Sequence, residues 1–229
     1  IDYKKKTLAA GGKTLKEGDW ISLNGSTGTL YAGQVATVDP ALTGPFGAIM
    51  KLADKHRTLG IRTNADTPEQ VRNALAFGAV GIGLTRTEHM FFEGDRIDAM
   101  REMILADTPE EELAALADLG RVQQIDFEEI LLAMDGLPVT VRLLDPPLHE
   151  FLPSIEELRI KAATTGLNKR EKAELKAAEE WAEHNPMIGT RGVRLGVLKP
   201  GLYAMQARAL LSAAAKLREQ GKKPIVEIM

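Results

Sequence analysis

The 229-residue chain contains no cysteine, which excludes disulfides, thiolate catalysis and cysteine metal ligation within it. No apolar run approaches the roughly 20 residues that a membrane-spanning helix needs, and no signal-peptide pattern is present. Neither sign of charge dominates: 29 Lys and Arg stand against 32 Asp and Glu, a net charge of −3. Bulk electrostatics therefore do not imply a nucleic-acid surface, and neither nucleic acid nor membrane is expected as a partner. A phosphate-cradling P-loop is absent, and the four histidines show no helical His-Glu-x-x-His spacing. The compartment expected is the cytoplasm. An initial methionine is also lacking, and the chain stops inside Pro224-Ile225-Val226-Glu227-Ile228-Met229, which reads as a buried strand just after a helix. An unfinished sheet leaves an unpaired edge, so an internal piece of a longer protein is expected.

What is present centres on Gly78-Ala79-Val80-Gly81-Ile82-Gly83-Leu84-Thr85-Arg86. A glycine-rich apolar run without polar alternation reads as a strand buried on both faces. It ends in Thr87-Glu88-His89, where chemistry sits in parallel α/β folds. Leu59 to Asp66 and Leu137 to Asp145 share this grammar, each with an arginine near its exit. In a parallel barrel or an open α/β sheet the carboxyl ends of the strands face one mouth. Arg62, Arg86 and Arg142 are therefore expected to converge on an anion pocket. The glycines lie within the strand and not between strand and helix, so a dinucleotide loop fails its context test.

Taken in order, residues 1–38 read as all-β, with Gly11-Gly12, Gly18-Asp19 and Asn24-Gly25 as turns. So few strands cannot bury a core alone, and they read as the tail of a domain that begins upstream. Val38-Asp39-Pro40 punctuates, and a helix follows to about Arg57. Thr67-Pro68-Glu69-Gln70 has a capping-box pattern with proline at the first helical position. Beyond the Arg86 strand come a helix over Asp95–Leu105, a second capped by Thr108 and a third running to about Met134. Residues 154–184 read as charged helices, opened in part by Asn168, and a last helix spans Pro200 to Gln220. Alternating β and α argues for a parallel architecture containing four strands.

Guanidinium is planar, permanently charged and matches carboxylate or phosphate oxygens bidentately. Arg86 and Arg142 are the first candidates to bind an anion and act in catalysis; Arg62 lies earlier in its strand. Arg191 and Arg194 can join from the Asn185–Arg194 loop, or pair with acidic helices at the surface. A second reading of each strand-exit arginine stays open, in which it pairs with a neighbour such as Glu88 or Asp145 to fix a loop. His89 reads as a group standing beside Arg86, and Met90-Phe91-Phe92 as core or pocket wall. Residues in this chain suggest no metal site.

Gly81 to Phe91 resembles the second-strand motif of the phosphoenolpyruvate-utilising barrel enzymes. Thr87-Glu88-His89-Met90-Phe91-Phe92, Arg142-Leu143-Leu144-Asp145-Pro146-Pro147-Leu148-His149-Glu150-Phe151-Leu152-Pro153 and Asn185-Pro186-Met187-Ile188-Gly189-Thr190-Arg191-Gly192 are similar to the dikinase branch of that family. So is Leu23-Asn24-Gly25-Ser26-Thr27-Gly28, which resembles the end of a swivelling domain. The resemblance implies an α/β fold: the first half of a (β/α)8 TIM barrel over 39–229, preceded over 1–38 by the β-rich tail of a swivelling phosphohistidine domain. It implies a parent enzyme, a pyruvate phosphate dikinase, that interconverts ATP, pyruvate and phosphate with AMP, phosphoenolpyruvate and pyrophosphate through a phosphohistidine. Arginines matching Arg86 and Arg142 bind the phosphoryl group and substrate in this family, and one matching Arg191 assists.

The same resemblance implies magnesium as cofactor, with its Glu and Asp ligands, a neighbouring Asn and a proton-donating Cys expected beyond Met229. The phosphoryl-carrying histidine, in a Ser-His-Ala setting, is expected before Ile1, as is the ATP-binding domain. Phosphoenolpyruvate and pyruvate are the implied substrates, the remaining domains the implied partners, and a homo-oligomer the implied parent assembly. The isolated chain is expected to be inactive. Two alternatives are a phosphoenolpyruvate synthase fragment and a non-catalytic anion-binding half-barrel that serves as an interaction module.

Overall fold

The computed structural model describes residues 1–38, 41–92 and 96–229. The punctuation expected at Asp39-Pro40 and the helix start expected at Asp95 therefore lie outside the described residues. The chain forms two compact units, Ile1–Lys55 and His56–Met229.

In the first unit, β1 (Thr7–Ala10) pairs with β2 (Lys13–Lys16) and β3 (Ile21–Asn24) with β4 (Thr29–Ala32), both antiparallel. The Asn24 side chain closes the second hairpin by accepting the Ser26 N–H at 3.0 Å. These ribbons bury little: Trp20, Leu23 and Leu30 stay exposed. A helix, α1 (Gly44–His56), follows, with only Gly47 buried. Strand β2 was not among the strands expected from sequence, because Lys-Thr-Leu-Lys between two glycine turns carries almost no apolar signal.

The second unit alternates. Strand β5 (Arg62–Asn64) leads to α2 (Pro68–Ala76) and β6 (Gly81–Arg86). Then come α3 (Thr87–Phe91), α4 (Arg96–Leu105), α5 (Pro109–Ala133) and β7 (Pro138–Arg142). A 3₁₀ turn at Leu148–Phe151, α6 (Ile155–Thr164), α7 (Lys169–Glu180), α8 (Val193–Leu198) and α9 (Pro200–Glu219) connect to β8 (Ile225–Ile228). The four strands form one parallel sheet in the order β5-β6-β7-β8.

Local signals explain the helix starts. Thr108 Oγ1 accepts the Glu111 N–H at 3.2 Å, and Glu111 Oε2 accepts the Thr108 N–H at 3.3 Å, a complete capping box. Asn168 and Glu171 build another on α7. At α2 the box is only half formed: Thr67 accepts the Gln70 N–H, but the Gln70 side chain reaches one residue further back, to the Asp66 N–H at 2.8 Å. The two helices expected between Thr108 and Met134 are one 25-residue helix, α5. Gly120 lies within it as a close contact, since a Cβ there would stand 3.1 Å from Met205 Cγ on α9. Helices α5 and α9 pack along their lengths through Leu116, Leu119, Phe127, Met205, Leu210 and Leu217.

Strand alternation separates two faces. Ile82, Val139 and Val141 are fully buried or nearly so, in one cluster with Val71 of α2, Phe127 and Ile130 of α5 and Leu210 of α9. Arg62, Thr140, Arg142 and Glu227 occupy the opposite face. Burying several large apolar side chains, each worth about 1.5–3 kcal/mol, fixes which face turns to the helices. On the other face Gly81 and Gly83 leave room for the Arg62 side chain. A Cβ at Gly81 would meet Pro138 Cγ at 2.9 Å and Arg62 Cγ at 3.2 Å; one at Gly83 would meet Arg62 Cβ at 3.2 Å. Gly81→Ala should therefore cost about 1–3 kcal/mol, as overpacking does, read as a lowered urea midpoint; an unchanged midpoint would show that Pro138 and Arg62 yield freely.

Candidate functional site

Parallel register places Arg86, at the end of β6, beside Arg142, at the end of β7. Each guanidinium is held by a carboxylate. Asp66, just beyond β5 and with a side chain only 3% exposed, accepts the Arg86 backbone N–H at 2.7 Å through Oδ1. Its Oδ2 accepts Arg86 Nε at 3.2 Å and Nη2 at 2.8 Å, and stands 2.8 Å from His89 Nδ1. Among the described residues Arg86 Nη1 makes no hydrogen bond, so that edge of the guanidinium is free.

Arg142 is bound differently. Its Nη2 donates to Glu88 Oε1 and its Nη1 stands 3.3 Å from Asp145 Oδ2. Asp145 also accepts from Arg191 Nη2 and, at 3.3 Å, from Arg191 Nε. Glu88, Arg142, Asp145 and Arg191 thus form one continuous chain of alternating charge. The Asp145 hydrogen bond raises the Arg191 pKa above its ordinary value against the opposing effect of burial, with Asp145, Glu150 and Glu88 adding charge support. Among the described residues Glu88 Oε2 and Arg142 Nε are both buried without a hydrogen-bond partner. They flank an existing bond between the same two side chains, so the pair is one rotation short of a side-on, two-bond fork.

A buried amide ties these exits together. Gln206 of α9, fully buried, accepts the Leu144 N–H at 2.8 Å and donates to Thr87 Oγ1 and to Gln123 Oε1, each at 3.1 Å. Tyr203 donates to the Leu144 carbonyl at 2.7 Å; burial, then the Asp145 charge, push its pKa up, against the Arg191 charge. Phe151 stacks on Phe92 at 5.1 Å and meets Phe91 edge-on at 6.4 Å. The loops after β6 and β7 are therefore fixed to each other as well as to the helices.

The structure brings Arg86, Arg142 and Arg191 to this mouth. Arg62 is elsewhere: it begins β5, opposite Gly81, and its Nη1 crosses the sheet to Glu227 Oε2 at 2.5 Å and Thr140 Oγ1 at 3.4 Å. Arg194 donates to the Gly189 carbonyl at 2.7 Å and so closes its own loop. Arg142 pairs with Glu88 and Asp145, as the loop-fixing reading expects, and also stands beside Arg86. Sequence reasoning missed Asp66, Gln206 and Tyr203. Asp66 had a signal, its place at a strand exit; the other two are polar groups in apolar helix stripes and carried little.

Among the described residues no group of three or more His, Asp or Glu is arranged to hold a metal ion, and no helix is long and apolar enough to cross a membrane. Asp66, Glu88 and Asp145 all face guanidiniums, so the donors present do not fit a magnesium ion.

Residues 41–229 match the family described as "PEP-utilising enzyme, PEP-binding domain", and the chain belongs to that family of phosphoenolpyruvate-utilising enzymes. Among curated proteins it is similar to pyruvate, phosphate dikinases: 50% identical over 229 residues to that of Giardia intestinalis and 50% over 232 to that of Clostridium symbiosum. It is also 50% identical over 235 residues to the chloroplastic pyruvate, phosphate dikinase 1 of Arabidopsis thaliana. The whole chain is covered each time, against 26%, 26% and 24% of those relatives, so it spans about a quarter of their length.

The sheet-crossing ion pair carries a pH signature. Hydrogen bonds from Arg62 and then Thr140 hold the Glu227 pKa below its ordinary 4.5. A carboxylate depressed on folding adds stability above its unfolded pKa, and that stability is lost as pH falls through the folded value. Glu227→Gln should therefore lower the urea midpoint at pH 7, and the gap from the native chain should close as pH falls below about 4.5. A gap that stays constant with pH would assign the effect to shape and not to charge.

Proposed function

We propose that this chain is the part of a pyruvate phosphate dikinase that receives phosphoenolpyruvate, and that Arg86 and Arg142 are its catalytic and substrate-binding arginines. The observation that carries this reading is the pair of guanidiniums side by side at the carboxyl ends of adjacent parallel strands, each oriented by a buried carboxylate. Donors fixed in this way need no reorganisation when charge develops on a transferring phosphoryl group or an enolate. Arg86 offers its free Nη1 edge while keeping its Asp66 bonds. Arg142 has both terminal nitrogens engaged, so an anion there exchanges with Asp145, the more exposed partner. Arg191, already on Asp145, follows that exchange and joins the substrate shell. Arg62 serves as the floor of the same face.

The same reading takes 39–229 as the first half of a TIM barrel and 1–38 as the end of a swivelling phosphohistidine domain. Four parallel strands in sequential order, with α2, α5 and α9 on one face and charged residues on the other, support a singly wound barrel over a doubly wound sheet. The rest of the barrel, the phosphohistidine, the ATP-binding domain and the magnesium ligands then belong to other parts of the parent, which we take to be a cytoplasmic homo-oligomer. The 50% identity to pyruvate, phosphate dikinases favours this parent over a phosphoenolpyruvate synthase or an interaction module.

In the full-length parent, Arg86→Ala and Arg142→Ala should each lower kcat for pyruvate formation by about a hundredfold or more, as loss of a transition-state donor does. A near-normal kcat for either would remove that arginine from the mechanism. The isolated chain should form no pyruvate from phosphoenolpyruvate, and detectable turnover by pure material would refute the division of chemistry across the parent.

A further inference from the structure

We infer that Glu183 and Tyr203 are positioning residues for Arg191: they hold its loop from either side and so set the affinity of the mouth for phosphoenolpyruvate. The inference rests on the reading of Arg191 as a substrate-shell arginine given above and adds two residues to it.

Packing does not hold this loop. Residues 184–189 are all exposed, Met187 and Ile188 at 77% and 74%. A segment with so few buried apolar contacts is free to move unless hydrogen bonds tie it down. Ahead of Arg191, Glu183 Oε1 accepts the Thr190 N–H at 2.6 Å. That approach depends on a missing side chain, since a Cβ at Gly189 would stand 2.6 Å from the same oxygen. Behind Arg191, the Tyr203 hydroxyl lies 3.1 Å from the Gly192 carbonyl oxygen and 2.7 Å from that of Leu144. Its ring lies against Gly196 of α8, where a Cβ would meet Tyr203 Cδ2 at 2.9 Å.

The two carbonyls flank one ion pair. Gly192 follows Arg191, Leu144 precedes Asp145, and Arg191 and Asp145 are bound to each other. A hydroxyl carries a single proton, and Tyr203 offers it to both backbones from one point. The tyrosine thereby sets the gap across which this guanidinium meets this carboxylate. Glu183 fixes the other end, so Arg191 does not swing with its loop. An anion that displaces Asp145 then meets an arginine already in place, and binding is spared the cost of ordering it. Both groups act on binding and not on the chemical step, because they hold Arg191 equally in the ground and transition states.

The test uses the full-length parent with Tyr203→Phe, Glu183→Ala, Glu183→Gln, Arg191→Ala and the pair Tyr203→Phe with Arg191→Ala. KM for phosphoenolpyruvate, kcat and the thermal midpoint are measured. Phenylalanine keeps the ring against Gly196 and removes the hydroxyl; glutamine keeps an acceptor for the Thr190 N–H and alanine does not. We expect Tyr203→Phe and Glu183→Ala each to raise KM about three- to tenfold, the effect of one lost hydrogen bond. In both, kcat should stay within about twofold of native, with the thermal midpoint little changed. Glu183→Gln should stay within about twofold of the native KM. Arg191→Ala should raise KM by at least as much as either, and adding Tyr203→Phe to it should raise KM no further. A purely structural tyrosine would not show that coupling. A native KM in Tyr203→Phe or in Glu183→Ala, equal rises in Glu183→Ala and Glu183→Gln, or an undiminished Tyr203→Phe effect without Arg191 overturns the inference. A native KM in Arg191→Ala instead overturns the reading on which it rests, so the two failures are distinguishable. Should Glu183→Ala not fold, Tyr203→Phe with and without Arg191 decides the matter by the same criteria.

Discussion

Helices that return on one face of a parallel sheet leave the other face to side chains that need not be apolar. This asymmetry governs the second unit. Helices α2, α5 and α9 cover Ile82, Val139 and Val141, and α5 is pressed against α9 closely enough that a Cβ at position 120 would crowd Met205. With the apolar side of each strand committed to that contact, the period of two sends Thr140, Arg142 and Glu227 to the opposite side. Parallel order then gathers the strand exits at one end. The meeting of Arg86 and Arg142 follows from these two constraints, without any direct attraction between two like charges.

Burial of Gln206 is the polar counterpart of that packing. Its amide spans from the Leu144 backbone to Thr87 and Gln123, so a shift in α9 is transmitted to the loops after both β6 and β7. An unpaired buried amide is costly, and every member of this small network has a partner. The geometry of the mouth is thus set from behind by the helical layer. On the mouth itself three carboxylates, Asp66, Glu88 and Asp145, stand against three guanidiniums, Arg86, Arg142 and Arg191. That balance lets several arginines lie close together at a cost in free energy that the fold can sustain.

Much of this was legible in the residues, because it depended on neighbours in sequence. The Thr108 and Asn168 caps, the Asn24 turn and the arginines that end β6 and β7 are local signals with local causes. What escaped was non-local. The role of Gly120 inside α5 shows only when Met205 is placed against it, and Gln70 caps a residue earlier than the pattern predicts because Asp66 N–H is the donor within reach. Asp66 itself passes for a turn residue between a strand and a capped helix. Its role depends on Arg86, 20 residues later, and the partner of Arg62 lies 165 residues away. No periodicity within a window records such pairings.

The Arg62–Glu227 contact joins the two outermost strands of the sheet, passing over β6 and β7. Neighbouring strands stand about 4.8 Å apart, so in a flat sheet those edges are separated by roughly 14 Å. Spanning that width takes both side chains laid across the charged face, and Gly81 and Gly83 clear the way for one of them. The ion pair behaves like the string of a bow: flattening the sheet stretches it, and bending the sheet toward the arginines slackens it. The charged face of the sheet is therefore tied edge to edge by this electrostatic chord, while the helices pack against the other face.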